Sequence, residues 1–250
     1  FESDHTKAFF LVNISPLNLG SDPDTRKRGA LIVFHDVTHV RRLEKIRTDF
    51  VSNVSHELKT PLTSMRGIIE MFENKSLSSP VDQDKFIGIL SRQAKRLESI
   101  INDLLMLARL EEDESKNIEL VRTRLKDVVD LAVQACSLRA KAKHIELVTS
   151  LDLQLYAMLH PTLFEQALVN LINNAIDYSP EGSLVTVGAL PVKGQDDRNE
   201  IEIFVKDQGP GIEAKYHERI WHRFYRMDKS RNRGSGGTGL GLAIVKHIAM

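Results

Sequence analysis

His56, Glu57 and Thr60 stand together in the run Phe50-Val51-Ser52-Asn53-Val54-Ser55-His56-Glu57-Leu58-Lys59-Thr60-Pro61-Leu62. Leu43, Ile46, Phe50 and Val54 precede the histidine at spacings of three and four, and Leu58, Leu62, Met65 and Ile69 continue the pattern. This is the period of a helix that buries one stripe. At about 100° per residue, His56 lies roughly 160° from Leu58 and faces outward, with Thr60 on the same side. Glu57 can hold one ring nitrogen, which makes the other more nucleophilic. Pro61 frees the Glu57 carbonyl and bends the axis beside the pair, a cost that points to a site rather than to a plain solvated face.

Other residues suited to chemistry lie far downstream. Asn170 and Asn174 fall one turn apart on a helix whose apolar side carries Leu168, Leu171, Ile172 and Ala175. Carboxamide oxygens suit Mg²⁺, although such a pair also fits an ordinary polar face. Asp207-Gln208-Gly209-Pro210-Gly211 reads as a strand running into a tight turn. Asp207 there could accept a hydrogen bond from an exocyclic amine, and Gly209 and Gly211 would let backbone approach a flat ligand. As an isolated motif it equally fits a simple turn. Arg223-Phe224-Tyr225-Arg226 precedes a Lys-, Arg-, Ser- and Gly-rich stretch, and Gly237-Thr238-Gly239-Leu240-Gly241-Leu242 then opens a helix. Glycines at a helix start present N–H groups and the positive end of the helix dipole, a phosphate cradle. No strand leads directly into them and the glycine spacing is wrong for a dinucleotide fold, while a GxxxxGK[ST] loop is absent.

The elements that would position these residues follow from periodicity. Two strands, Ala8 to Ile14 and Gly29 to Asp36, flank a polar turn and read as the end of an upstream domain, since such a hairpin buries little alone. Long helices are expected over 39–73 and 82–110, separated by a Ser- and Asn-rich break. They form an antiparallel hairpin whose wide apolar stripes call for dimerisation into a four-helix bundle. The run Glu111-Glu112-Asp113-Glu114 reads as a solvated linker. Strands near 118–122, 145–151, 154–159, 184–190 and 200–207 alternate with helices near 125–142, 161–178, 213–222 and from 240 onward. That order predicts an α/β sandwich with helices on one face of a sheet.

Composition narrows the class. The 250 residues suffice for one large or two ordinary domains, and 27% charged residues at zero net charge argue against a general nucleic-acid or membrane-surface binder. The single Cys136 excludes an intrachain disulfide and falls at helical spacing with Val128, Val129 and Ala132, so it reads as core. No apolar run approaches the ~20 residues a membrane helix needs. The chain opens on Phe1 within apparent structure, which suggests a fragment. The other histidines show no metal-ligand spacing.

Taken in order, the histidine helix, Asn170-Leu171-Ile172-Asn173-Asn174-Ala175, the Asp207 turn, Phe224-Tyr225-Arg226 and the glycine box closely resemble the sensor histidine kinases of two-component signalling, over about residues 36–250. The resemblance implies a HisKA-type dimerisation hairpin at 39–113 and a GHKL- or HATPase-type ATP-binding domain of Bergerat fold at 114–250. Residues 1–38, with Asp36-Val37-Thr38, resemble the junction with a PAS-like sensory domain. The texture is similar to the phosphate- and envelope-sensing kinases. By resemblance, His56 takes the γ-phosphoryl group of ATP, Glu57 accepts the imidazole N–H, and the phosphoryl group passes to an aspartate on a response regulator. Thr60 matches the position associated with dephosphorylating that partner. Mg²⁺ would be held by Asn174 with help from Asn170, and Asp207 would read adenine. Tyr178, Gly209, Gly211, Phe224, Arg226, Lys229, Gly237, Thr238, Gly239, Leu240 and Gly241 complete the nucleotide site. The implied protein is a homodimer that binds no nucleic acid, is cytoplasmic here and reaches a membrane only through a segment outside this sequence.

The match also carries departures. Asp177, on the face of Asn174, is expected to repel phosphates, so that its replacement by Asn would tighten ATP binding. Relatives continue beyond Met250 through further strands, so the sheet is expected to be incomplete. A catalytically impaired dimeric signalling module, and an ATPase of the gyrase, MutL or chaperone type, are the competing readings; the histidine helix argues against the latter.

Overall fold

The computed structural model describes residues 8–19, 27–74, 79–113, 119–193, 199–227 and 237–249. They fall into two compact units, 1–56 and 57–250. In the first, β1 (Phe10–Leu19) pairs antiparallel with β2 (Lys27–Asp36), Phe10 opposite Asp36. β1 runs past the expected end at Ile14 because a strand with a single neighbour tolerates Pro16, which needs no ladder N–H on its open side. The expected turn lies largely outside the described residues. Both faces of the hairpin remain apolar and exposed, Ile14 and Phe34 most of all. Thr38 opens α1 (Thr38–Glu73): its N–H donates to Asp36 Oδ1, and its hydroxyl accepts the Phe9 N–H, both at 2.8 Å.

α1 continues through Pro61 into the second unit, where Pro61 and Ile68 are buried. α2 (Pro80–Asp113) completes the helical hairpin and runs three residues past its expected end at Leu110. The acidic stretch up to Asp113 is thus helical rather than linker, and Glu114 lies outside the described residues.

The α/β part contains β3 (Val121–Arg124), α3 (Leu125–Ala142), β4 (Glu146–Leu151), β5 (Tyr156–Leu159), α4 (Pro161–Tyr178), β6 (Leu184–Lys193), β7 (Asn199–Lys206) and α5 (Gly241–Ala249). β3 pairs antiparallel with β5; β6 lies between parallel β4 and antiparallel β7. Val185, Val187 and Ala189 alternate inward from β6, as a pleated strand requires. Val185 and Val187 meet Val128, Val129, Ala132 and Cys136 of α3 and Leu168, Ile172 and Ile176 of α4, and Ala189 meets Leu125 and Leu159. Cys136 is therefore core, its thiol pushed up to about 11 by burial. α4 begins cleanly because His160 Nδ1 accepts the Leu163 N–H at 3.3 Å and Pro161 needs no donor in the first turn.

A further element departs from expectation. Residues 213–222 form two single 3₁₀ turns, Ala214–Tyr216 and Arg219–Trp221, instead of a helix. Tyr216 and His222 N–H groups bond only three residues back, and His217 Nε2 lies 2.9 Å from the Ile212 carbonyl, which holds the chain in short turns.

Candidate active site

A cavity opens where the C-terminal half of α4, the end of β7 and the glycine-rich start of α5 converge. Asn174, Tyr178, Asp207, Gly211, Arg226, Gly237, Gly239 and Gly241 line it, all residues singled out from the sequence. Leu171, Ile212, Tyr225 and Leu242 supply apolar and aromatic walls that were not among the expected site residues. Polar groups at one side and apolar walls around them are the make-up of a small-molecule site.

Asp207 is fixed by its own turn. Its Oδ1 accepts the Gly209 N–H at 2.7 Å, which leaves Oδ2 for a donor on a ligand. A Cβ at Gly209 would lie 3.0 Å from the Tyr178 carbonyl and 2.8 Å from Asp207 Oδ1, so this glycine is required by the turn packing on α4. It does not line the cavity, and the expected approach of its backbone to a ligand gives way to this packing role.

The glycine box is tied to its surroundings on three sides. Asn170 Nδ2 donates to the Gly241 carbonyl at 3.4 Å, so Asn170 supports the box from outside the cavity while Asn174 faces into it. Phe224 and Gly239 both hold positive φ, 61° and 73°, and the Phe224 N–H donates to the Gly239 carbonyl at 2.8 Å. The Phe224 side chain packs beside Leu107, Leu110, Leu240 and Ile244. It therefore fastens the cavity wall to α2 and α5 and does not line the cavity, and Leu240, fully buried, acts likewise. Thr238 also turns away: its hydroxyl donates to Asp103 Oδ2 of α2 at 2.7 Å and accepts the Leu240 N–H at 3.2 Å. Burial raises the Asp103 carboxyl above its ordinary value, and the Thr238 hydroxyl pulls it partly back. Lys229 lies outside the described residues.

Asp177 resolves differently from expectation. Both its oxygens accept from Arg139 Nη2 of α3, at 2.7 and 2.8 Å, and Lys143 Nζ bonds the Ile176, Asp177 and Ser179 carbonyls at the end of α4. Burial pushes the Asp177 carboxyl up and the Arg139 guanidinium opposes this. The carboxylate is thus turned onto α3, and its expected repulsion of phosphates is withdrawn. Its helical azimuth allowed either direction; Arg139, 38 residues away in sequence, decides it.

On the helical hairpin, His56 and Thr60 are exposed on α1, as their spacing required. Glu57 is half-buried and accepts from Arg96 Nη2 of α2 at 2.9 Å. Neither Arg96 nor Asp103 stands out in the sequence, because each is one polar position on a mixed helix.

Comparison with known proteins agrees with this layout. Residues 46–113 match the His Kinase A (phospho-acceptor) domain, and residues 160–250 match the histidine kinase-, DNA gyrase B- and HSP90-like ATPase domain. The chain is 36% identical to the sensor histidine kinase WalK of Bacillus subtilis over 223 residues, 88% of this chain and 35% of that protein. It is 38% identical to the sensor-like histidine kinase SenX3 of Mycobacterium bovis over 234 residues, 89% of this chain and 53% of that protein. This chain belongs to the sensor histidine kinases. It spans about a third to a half of the length of these curated relatives. Among solved structures, the histidine kinase AdeS of Acinetobacter baumannii shares the fold, with TM-score 0.59 at 24% identity over 77% of this chain and 85% of that one. Full-length ShkA in complex with AMPPNP matches with TM-score 0.52 at 27% identity over 82% of this chain and 40% of that one. As in other sensor histidine kinases, an ATP-binding domain follows the helical hairpin. Among the described residues no helix is long and apolar enough to cross a membrane.

Proposed function

We propose that the protein transfers the γ-phosphoryl group of ATP to His56 and then to an aspartate of a response regulator. The observation that carries the ATP half is the convergence of Asn174, Asp207 and the three glycines of the box on one cavity. The free oxygen of Asp207 takes an adenine amine, and Gly237, Gly239 and Gly241 face the phosphates with backbone N–H groups. Arg226 offers a cation to the same phosphates. The Asn174 carboxamide oxygen suits a hard cation; Mg²⁺ held there with the phosphates and water would offset phosphate charge, with Asn170 positioning the box behind it.

At the acceptor, one imidazole nitrogen of His56 attacks phosphorus, the bond from γ-phosphorus to the β–γ bridging oxygen breaks, and ADP leaves with the electron pair. The N–H proton on the other ring nitrogen passes to the Glu57 carboxylate. Exposure of His56 and Thr60 leaves both open to a partner's receiver domain, where Thr60 orients water for dephosphorylation. A histidine kinase ThkA of the same fold, 22% identical, has been solved in complex with response regulator protein TrrA, which is in keeping with the partner class. Leu62, Ile69, Ile87, Ile101 and Leu105 are exposed along the hairpin helices, the surface a second copy would cover in a homodimer. On the same reading, residues 1–38 end a PAS-like domain, and the chain is the cytoplasmic kinase part of a membrane-anchored bacterial sensor.

The test is incubation with γ-labelled ATP. The expected product is an acid-labile, base-stable label that disappears in His56→Gln. Label persisting in that variant, or none in the folded wild type, overturns the assignment.

A further inference from the structure

We infer that Arg96 of α2 is a positioning residue for Glu57, an inference that rests on the reading of His56 as phosphoacceptor. Arg96 Nη2 donates to Glu57 Oε2 at 2.9 Å, and the two side chains are only 19% and 29% exposed. Both charges have thus lost most of their water. A buried pair recovers that loss only with full, well-aligned hydrogen bonding. This one makes a single contact, and Arg96 Nε is buried without a partner among the described residues. An orphaned donor is a cost that an apolar side chain of similar length would not carry. Fold stability is therefore a poor reason for a guanidinium here.

What the guanidinium does supply is orientation. Successive side chains on a helix stand about 100° apart and do not face each other, so Glu57 reaches the neighbouring imidazole from few of its rotamers. A free glutamate distributes itself over many. Arg96 takes Oε2, holds the carboxylate in one direction, and leaves Oε1 to receive the N–H proton during phosphoryl transfer. Arg96 touches neither His56 nor ATP in this scheme; it acts through Glu57 alone.

The test uses the same labelling assay. Arg96→Met lowers the initial rate at saturating ATP by about tenfold, part of the ~10²–10⁴-fold a proton acceptor contributes. The KM for ATP stays within about twofold, and the melting temperature is unchanged or raised. Arg96→Lys restores part of the rate. In a Glu57→Gln background, adding Arg96→Met changes the rate by less than about twofold, since the group it positions is gone. A wild-type rate in Arg96→Met, equal losses in both backgrounds, or a variant that fails to fold overturns the inference. The first two outcomes leave the kinase reading intact when His56→Gln abolishes the label; if that variant keeps its label, reading and inference fall together.

Discussion

Replacing Thr238 by valine removes one hydroxyl and almost no volume, and it tests whether α2 holds the glycine box. The hydroxyl donates to a largely buried Asp103 carboxylate at 2.7 Å and accepts the Leu240 N–H at 3.2 Å. A hydrogen bond to an ionised group contributes about 1.5–3 kcal/mol. Asp103 keeps some contact with water, so the lower part of that range applies and the expected loss at neutral pH is about 2 kcal/mol. Because burial raises the Asp103 carboxyl, its ionisation weakens the fold. The stability contributed by the protonated carboxyl is fully present below the unfolded carboxylate value and is lost as pH rises through the raised folded one. Thr238 limits the loss by favouring the ionised form, so valine pushes the carboxyl higher still. The gap between wild type and Thr238→Val is therefore widest at neutral pH, where Asp103 is ionised in both. It narrows as pH falls through the two raised folded-state values, since the unfolded carboxyl is common to both proteins and cancels. Urea unfolding at pH 8 and pH 4 reads it directly, and a melting shift of about 4–8 °C is expected at the higher pH. A gap under about 0.5 kcal/mol, or one that stays constant or grows on acidification, refutes the reasoning.

Other perturbations address the cavity. Asp207→Asn replaces an acceptor-only oxygen pair by an amide that presents a donor, and ATP affinity measured by titration is expected to fall about tenfold, the equivalent of ~1.4 kcal/mol. Gly239→Ala meets a double obstacle: φ is +73°, and the new Cβ would sit 2.9 Å from the Phe224 backbone. We expect lost nucleotide binding and a melting point lowered by several degrees, from about 1–2 kcal/mol of backbone strain plus the clash; an unchanged protein refutes it. Asp177→Asn is expected to leave ATP affinity within about twofold, because the carboxylate faces Arg139; tighter binding would revive a repulsive role.

Elements bounded by local chemistry were legible before the structure. α3 and α4 end where periodicity placed them, and α4 is framed by His160 and Pro161. The stretch 213–222 misled because apolar residues at helical spacing do not separate two 3₁₀ turns from one helix. The cavity residues were legible as motifs, but their roles were not uniform. Asn174 and Asp207 face the ligand space, whereas Phe224, Thr238, Leu240, Gly209 and Asn170 hold the walls in place. Periodicity gives a residue's azimuth on its own helix. It does not give the partner on another, which is why Asp177 was misjudged and Arg96 and Asp103 passed unnoticed.

Those last two residues belong to one element. Arg96 and Asp103 are seven residues apart on α2, which at 3.6 residues per turn is about 20° short of two full turns and roughly 10 Å along the axis. They therefore project from the same side of the helix, one to the carboxylate beside His56 and the other to the second residue of the glycine box. Two turns of hydrogen-bonded helix do not twist independently. A rotation of α2 that draws Asp103 away from Thr238 also withdraws Arg96 from Glu57. The same rotation strains the seating of Leu107 and Leu110 against Leu240 and Ile244, because those contacts leave the helix just beyond Asp103. On the proposed reading, the helix that holds the glycine box through Thr238 also holds the Glu57 carboxylate through Arg96, so one rotation of α2 would disturb both ties.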